Sequence, residues 1–178
     1  MELISVLFWL LLVLGVVYLV RKWIFVHFFD LLGHLYNGRM RGRKKILFQT
    51  LAQLKADRGD GKLVVLDIGC GVGSNFEFLP PGSEVICVDP NVHFEKATYR
   101  QARQFPGVRV SQFHACAAEN MRESVETGSV DAVISTLVLC TVKDTVSSLQ
   151  EIVRVLKPVS KKLTFISDIA SIHVKCLS

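Results

Sequence analysis

The sequence predicts an α/β domain, a doubly wound and mostly parallel sheet, preceded by a hydrophobic helix. Three observations predict it. Leu63-Val64-Val65-Leu66-Asp67-Ile68 is an apolar, mostly β-branched run that leads into Gly69-Cys70-Gly71-Val72-Gly73. Such a run, bounded by glycine, reads as a strand buried on both faces. The pattern returns in Glu84-Val85-Ile86-Cys87-Val88-Asp89-Pro90, with Asp89 twenty-two residues after Asp67. Further strand-like runs then alternate with stretches of helical spacing, which implies parallel strands joined by crossover helices. Right-handed crossovers place every strand-to-helix loop on one edge of the sheet. Gly69–Gly73, Asp89, Ala118-Glu119 and Ser135-Thr136 therefore share a rim, where ligands of such sheets bind.

Leu3 to Val20 carries no charge over eighteen residues. As a helix it would span roughly 27 Å, close to the ~30 Å of a hydrocarbon core. Glu2 at the start and Arg21-Lys22-Trp23 at the end do not fit a cleaved signal peptide. An uncleaved anchor over 1–23 is expected, with Trp23 at the interface and the following domain in the cytosol. Ile24 to Phe29 continues apolar, so a segment lying in the membrane surface, or a shallow hairpin, is the alternative. Gly38, Gly42 and the basic cluster mark 24–45 as a juxtamembrane linker. His27 and His34 are given no role. Lys44 to Ala56 reads as an amphipathic helix, with Ile46, Leu47, Leu51 and Leu54 near helical spacing.

Arg58-Gly59-Asp60-Gly61 is a turn before the first strand. A short helix is expected from Ser74 to Leu79, stopped by Pro80-Pro81-Gly82. Asn91 can cap a helix running to about Gln104. Val108 to Phe113 reads as a third strand, Asp131 to Ser135 as a fourth and Leu163 to Ser167 as a fifth. Thr145 to Leu156 has helical spacing.

The glycine loop excludes a P-loop and argues against a dinucleotide. Its spacing is Gly-x-Gly-x-Gly, whereas a dinucleotide fingerprint is Gly-x-Gly-x-x-Gly, and no Lys-Ser/Thr follows as a P-loop requires. Asp67 at the loop mouth would repel a pyrophosphate and suits a cationic ligand. It would orient such a ligand through loop amides or water, or serve as a structural acceptor. Asp89 is placed to accept both hydroxyls of a ribose, or to cap the next helix. Asp131, ahead of a buried strand, is read as a capping or pairing acid.

Leu66-Asp67-Ile68-Gly69-Cys70-Gly71-Val72-Gly73, Asp89, Ala118-Glu119-Asn120-Met121 and Ser129-Val130-Asp131-Ala132-Val133-Ile134-Ser135 together resemble the class I S-adenosylmethionine-dependent methyltransferases, whose fold is Rossmann-like. Asn75-Phe76-Glu77-Phe78, Asp89-Pro90-Asn91 with Phe94-Glu95-Lys96, and Thr136 to Val142 are similar to the membrane-bound thiol S-methyltransferases of the methyltransferase-like seven group. The resemblance spans roughly residues 40 to 158. It implies S-adenosyl-L-methionine as cofactor, held by Asp67, Gly69, Gly71, Gly73, Asp89, Pro90, Ala118 and Glu119, with Ala118-Glu119 at the adenine edge. It also implies a small lipophilic thiol as acceptor, and the endoplasmic reticulum and lipid droplets as location. Phe94 and Thr136–Cys140 could wall the pocket. A thiol attacks as thiolate, so a nearby base or positive field would help. The sequence does not choose one, although His114 and Cys140 lie near the right strand ends. No catalytic residue is assigned.

Charge distribution fits a membrane-side position. The formal net charge is +5. Seven Lys/Arg and one acid, Asp30, lie between Arg21 and Lys45, and fourteen residues of each sign follow from Ile46 on. The basic excess beside the hydrophobic segment suits anionic lipid headgroups. A nucleic-acid partner would need a basic face on the domain itself, so none is expected. Five cysteines without Cys-x-x-Cys read as reduced thiols in a cytosolic-facing domain. No metal spacing is present.

One stretch departs from the resembled pattern. After Leu156-Lys157-Pro158 come Val159-Ser160-Lys161-Lys162 in place of two glycines, and the tail from Asp168 to Ser178 does not follow the family continuation. The domain, 46–178, is therefore expected to be truncated or substituted at its C-terminal edge, leaving the fifth strand as an exposed edge. Two other functions follow as alternatives. One is an inactive form acting through membrane targeting or pairing. The other is a membrane-bound NAD(P) oxidoreductase, which the glycine spacing disfavours.

Overall fold

The computed structural model describes residues 2–59, 61–158, 163–167 and 170–174, with backbone alone for the last two segments and parts of the first helix. Its elements in order are α1 (Glu2–Arg58), β1 (Leu63–Ile68), β2 (Ser83–Val88), α2 (Glu95–Ala102), β3 (Val108–His114), β4 (Ala132–Ser135), α3 (Thr145–Val155), β5 (Leu163–Ser167) and β6 (Ala170–Val174). They form one six-stranded sheet in the order β3-β2-β1-β4-β5-β6. The first five strands are parallel and β6 runs antiparallel to β5.

Strand alternation sorts the core onto two faces. Leu63 and Val65 of β1 pack with Phe48 and Leu51 of α1 and Ala102 of α2. Leu66 and Ile68 pack on the other face with Met121 and with Ile152 and Val155 of α3. That division is the doubly wound arrangement expected from the sequence. The chain runs from β1 outward to β3, then returns across the sheet to β4 on the other side of β1. The reversal opens a crevice at the carboxyl ends of β1, β2 and β4.

Four expectations need correction. The region around Gly38 and Gly42 is not a break, because α1 is continuous from Glu2 to Arg58. A Cβ at either glycine would meet no side chain or other element within 4 Å. Each costs about 1 kcal/mol against alanine in a helix interior, which the docking of Phe48 and Leu51 offsets. The helix expected at Ser74–Leu79 is a single 3-10 turn, Phe76–Phe78. Asn91 caps another 3-10 turn, Val92–Phe94, by accepting from the His93 amide, and α2 follows, ending at Ala102. The fifth strand is not the sheet edge. β6 pairs along it from Leu163↔Val174 to Ser167↔Ala170.

Asp131 behaves as a structural acid. It is fully buried, accepts from the Val64 amide at 2.8 Å and pairs with Lys157 at 2.9 Å. α3 begins on Asp144, whose side chain accepts from the amides of Val146 and Ser147. Among the described residues no helix is long and apolar enough to cross a membrane. The side chains of Trp23, His27 and His34, the residues Asp60 and Val159–Lys162, and the tail at Asp168, Ile169 and Lys175–Ser178 lie outside the described residues.

Candidate active site

A cavity of about 710 Å³ opens at the carboxyl edge of the sheet, within the usual range for small-molecule sites. Gly69, Cys70, Gly71 and Ser74 line it from the loop after β1, and Asp89, Pro90 and Phe94 from the loop after β2. Cys116 to Glu119 follow from the loop after β3, and Thr136 to Val138 from the loop after β4. Lys44 of α1 completes one wall. Of the residues selected from the sequence, Gly69, Gly71, Asp89, Pro90, Ala118 and Glu119 all face this cavity. Asp67 and Gly73 do not.

The glycine loop is held in place from below. The Gly69 amide donates to the Val88 carbonyl at 2.7 Å, and Thr98 of α2 donates its hydroxyl to the Gly71 carbonyl at 2.7 Å. The three glycines then have different duties. Gly69 and Gly73 both have positive φ, and a Cβ at either would strike a neighbouring side chain, Val138 of the cavity wall or Phe76 of the core respectively. Gly71 has φ +52°, but a Cβ there would meet nothing within 4 Å. Gly71 alone leaves open the space that a ligand would fill.

Asp89 sits beside that opening. Its carboxylate accepts from the Gly71 amide at 3.1 Å and the Asn91 amide at 2.8 Å. Burial raises its pKa, and the two amide hydrogen bonds partly oppose the rise. Each carboxylate oxygen accepts one of these amide bonds, which leaves lone pairs for a diol. Glu119 is engaged differently. Its Oε1 accepts from the amides of Lys143 and Asp144, at 2.6 and 3.2 Å, and ties the third loop to the fourth.

Asp67 lies beneath the cavity rather than in its wall. It has no solvent exposure, and Asn75 Nδ2 donates to both its oxygens at 3.0 and 3.2 Å. Its pKa is raised to about 7, chiefly by burial, with the Asn75 hydrogen bond and the charge of Lys44 opposing. Position explains the misplacement: Asp67 shares strand parity with Leu63 and Val65, so it faces α1. Asn75 Nδ2 also approaches the Thr136 hydroxyl at 3.1 Å, and Lys44 Nζ donates to Asn75 Oδ1 at 2.9 Å. A buried chain of contacts thus runs from Asp67 through Asn75 to two residues in the cavity wall.

Lys44 is a cavity-lining residue that sequence reasoning missed. It is only 2 % exposed. A signal existed: Lys44, Phe48 and Leu51 fall on one helical stripe, and a lysine in an apolar stripe requires a partner. Phe94, Thr136, Leu137 and Val138 do wall the cavity, but Leu139 and Cys140 do not. Leu137 is 54 % exposed with φ +57°, a strained conformation for a leucine. His114 is also outside the wall, its Nε2 lying 3.0 Å from Gln112 Oε1.

Residues 66–161, more than half of the chain, match the family described as "Methyltransferase domain". The chain belongs to this methyltransferase family. Its cofactor is S-adenosylmethionine. The open backbone at Gly71 and the available lone pairs of Asp89 fit that group. The chain is 41% identical over 138 residues to the thiol S-methyltransferase TMT1A of Homo sapiens, covering 78% of this chain and 55% of the relative. It is 40% identical over 122 residues to human TMT1B, another thiol S-methyltransferase, covering 68% and 49%. The chain therefore spans about half the length of the curated relatives it matches. Among solved structures, the DszA carbon methyltransferase superposes with TM-score 0.58 at 24% identity, over 72% of this chain and 36% of that one. That likeness supports the methyltransferase fold.

Proposed function

We propose that this methyltransferase transfers the methyl group of S-adenosylmethionine to small lipophilic thiols at a cytosolic-facing membrane surface. The observation that carries the reading is the meeting of Gly71 and Asp89 over one cavity, in a chain so similar to enzymes named thiol S-methyltransferases. The cofactor supplies an activated sulfonium methyl. The chain's own residues have the task of alignment and water exclusion. Asp89 would grip the ribose, Ala118 and Glu119 would border the adenine, and Gly71 would admit the sulfonium region against bare backbone. Asp67 would act indirectly, by fixing Asn75 under the glycine loop.

Membrane attachment rests on α1. Apolar side chains from Ile4 to Tyr18 are exposed. Ile24, Phe28, Leu31 and Leu35 are also exposed, spaced by four, three and four residues, and give one apolar face. Arg41, Arg43 and Lys45 are exposed just beyond it. That combination suits insertion into an anionic bilayer surface. Endoplasmic reticulum and lipid droplets are the proposed locations.

Calorimetry with S-adenosylmethionine and a methyl-transfer assay on an alkyl thiol test the enzymatic part. The wild-type chain should bind saturably, and Asp89→Ala should weaken binding by at least tenfold. Saturable binding unchanged by Asp89→Ala would refute the assignment of the ribose site. Flotation with anionic vesicles tests attachment, which fails if a chain lacking residues 1–37 floats equally well.

A further inference from the structure

The proposed reaction needs an ionised acceptor, and the cavity offers no obvious base. Among the described residues that line it there is no histidine and no tyrosine. Asp89 and Glu119 face it, but both carboxylates are engaged with backbone amides. A thiol therefore has to ionise to solvent and be held as an anion. Two cations line the cavity, Lys44 and Lys143. Lys143 is exposed, so solvent and salt screen it. Lys44 is buried, where a charge acts through a lower effective dielectric.

We propose that the Lys44 ammonium, carried by α1 and oriented by Asn75, holds the acceptor sulfur as its anion and so selects thiolates over neutral nucleophiles. This inference rests on the thiol methyltransferase reading. Several groups surround the ammonium. Asn75 Oδ1 accepts from it at 2.9 Å, and the Phe78 ring centroid lies 5.5 Å away. Asp67 of β1 feels its charge from beneath. One turn earlier on α1, Arg41 pairs with Glu77 at 3.2 Å. Cys70, Asp89 and Glu119 share the cavity wall. Asp67 is one group able to offset the lysine's field. With a pKa of about 7 it is only partly ionised at neutral pH.

The chemistry balances without further reactants. The thiol proton leaves to solvent as the sulfur binds. The thiolate lone pair forms the new S–CH₃ bond while the methyl–sulfonium bond breaks, and that electron pair stays on the departing neutral sulfide. An opposite charge within about 4–6 Å shifts an ionisation by about 1–3 pH units, enough to convert a mostly protonated thiol into a mostly ionised one near neutrality.

The test uses the full chain in detergent micelles with S-adenosylhomocysteine and an aromatic thiol whose thiolate absorbs in the ultraviolet. Difference absorbance against pH reads the ionisation of the bound thiol directly. In the wild type its midpoint should fall at least one unit below that of the free thiol. Lys44→Gln, which keeps a donor for Asn75 but no charge, should return it to the free value, and Lys44→Arg should retain most of the shift. Lys44→Gln should also raise the thiol KM about tenfold at pH 7, with recovery at higher pH, while calorimetric affinity for S-adenosylmethionine changes less than threefold. Lys44→Met, with a thermal melt, serves where Lys44→Gln folds poorly. An unmoved midpoint in the neutral variants overturns the proposal. So does a tenfold loss of cofactor affinity with thiol ionisation intact, which would assign Lys44 to the methionine carboxylate. A wild-type chain that binds cofactor yet neither ionises nor methylates any thiol refutes the underlying thiol reading instead.

Discussion

Asp67→Asn should make the protein more stable, and the gain should depend on pH. Asp67 has no exposure, and its pKa in the fold is about 7 against 3.8 for the ordinary carboxyl. The folded state therefore keeps a proton that the unfolded chain gives up. Stability is unaffected by this group below about pH 4, falls as pH rises, and reaches its full loss once the folded carboxyl ionises near 7. A shift of about three units corresponds to about 4 kcal/mol at about 1.4 kcal/mol per unit. The substitution removes that titration. Its amide keeps one oxygen to accept from Asn75 Nδ2, and loss of the second acceptor adds an offset that does not vary with pH. Urea unfolding in mild detergent at about pH 4, 6 and 8, followed by circular dichroism, gives the difference between variant and wild type. It should grow by about 4 kcal/mol from the lowest pH to the highest. A flat difference would mean that Lys44 and Asn75 keep Asp67 ionised in the fold and that burial does not dominate. A difference that shrinks with pH would reverse the argument.

Two further outcomes separate the roles of groups that look alike in sequence. Gly71→Val should abolish measurable S-adenosylmethionine binding by calorimetry, because the new side chain enters open cavity space, and φ +52° adds backbone strain. Gly69→Ala should instead lower the melting temperature, since its Cβ collides with Val138 in the protein itself. Asp131→Ala should destabilise the fold by about 3 kcal/mol, because the half-buried Val64 amide loses its acceptor and Lys157 its partner. Chemical denaturation measures this loss, and an effect under about 0.5 kcal/mol would show that water replaces both contacts.

The parallel core and the shared rim were legible because they rest on short-range signals. β-branched runs ending at Gly69 and Asp89 give strands, and crossover handedness gives the rim. What escaped depended on facing. Asp67 and Asp89 each close a strand-like run, yet Asp67 lies under the loop and Asp89 in the cavity. The distinction is set by the side of the sheet that α1 covers, which no local pattern reveals. The pairing of β6 with β5 was equally hidden, because Ala170–Val174 is too short and mixed to announce a strand. Gly38 and Gly42 pointed towards a linker. Intrinsic propensity there is outweighed by a helix anchored downstream through Phe48 and Leu51.

The continuity of α1 changes how attachment and chemistry relate. About 1.5 Å of rise per residue puts Lys44 some 39 Å along the helix from Tyr18, too far for the uncharged run to deliver a substrate directly. The exposed face from Ile24 to Leu35 lies between them and ends nine residues, about 14 Å, before Lys44. If that face rests in the headgroup region, the cavity sits just above the bilayer surface. A lipophilic thiol could then leave the membrane beside Lys44, the cation proposed to bind its sulfur. Charged residues in place of Phe28 and Leu31 should therefore raise the KM for long-chain thiols in vesicles while leaving that for short, water-soluble thiols unchanged. Equal KM changes for both classes would mean that α1 serves the fold of the site and not its access to the membrane.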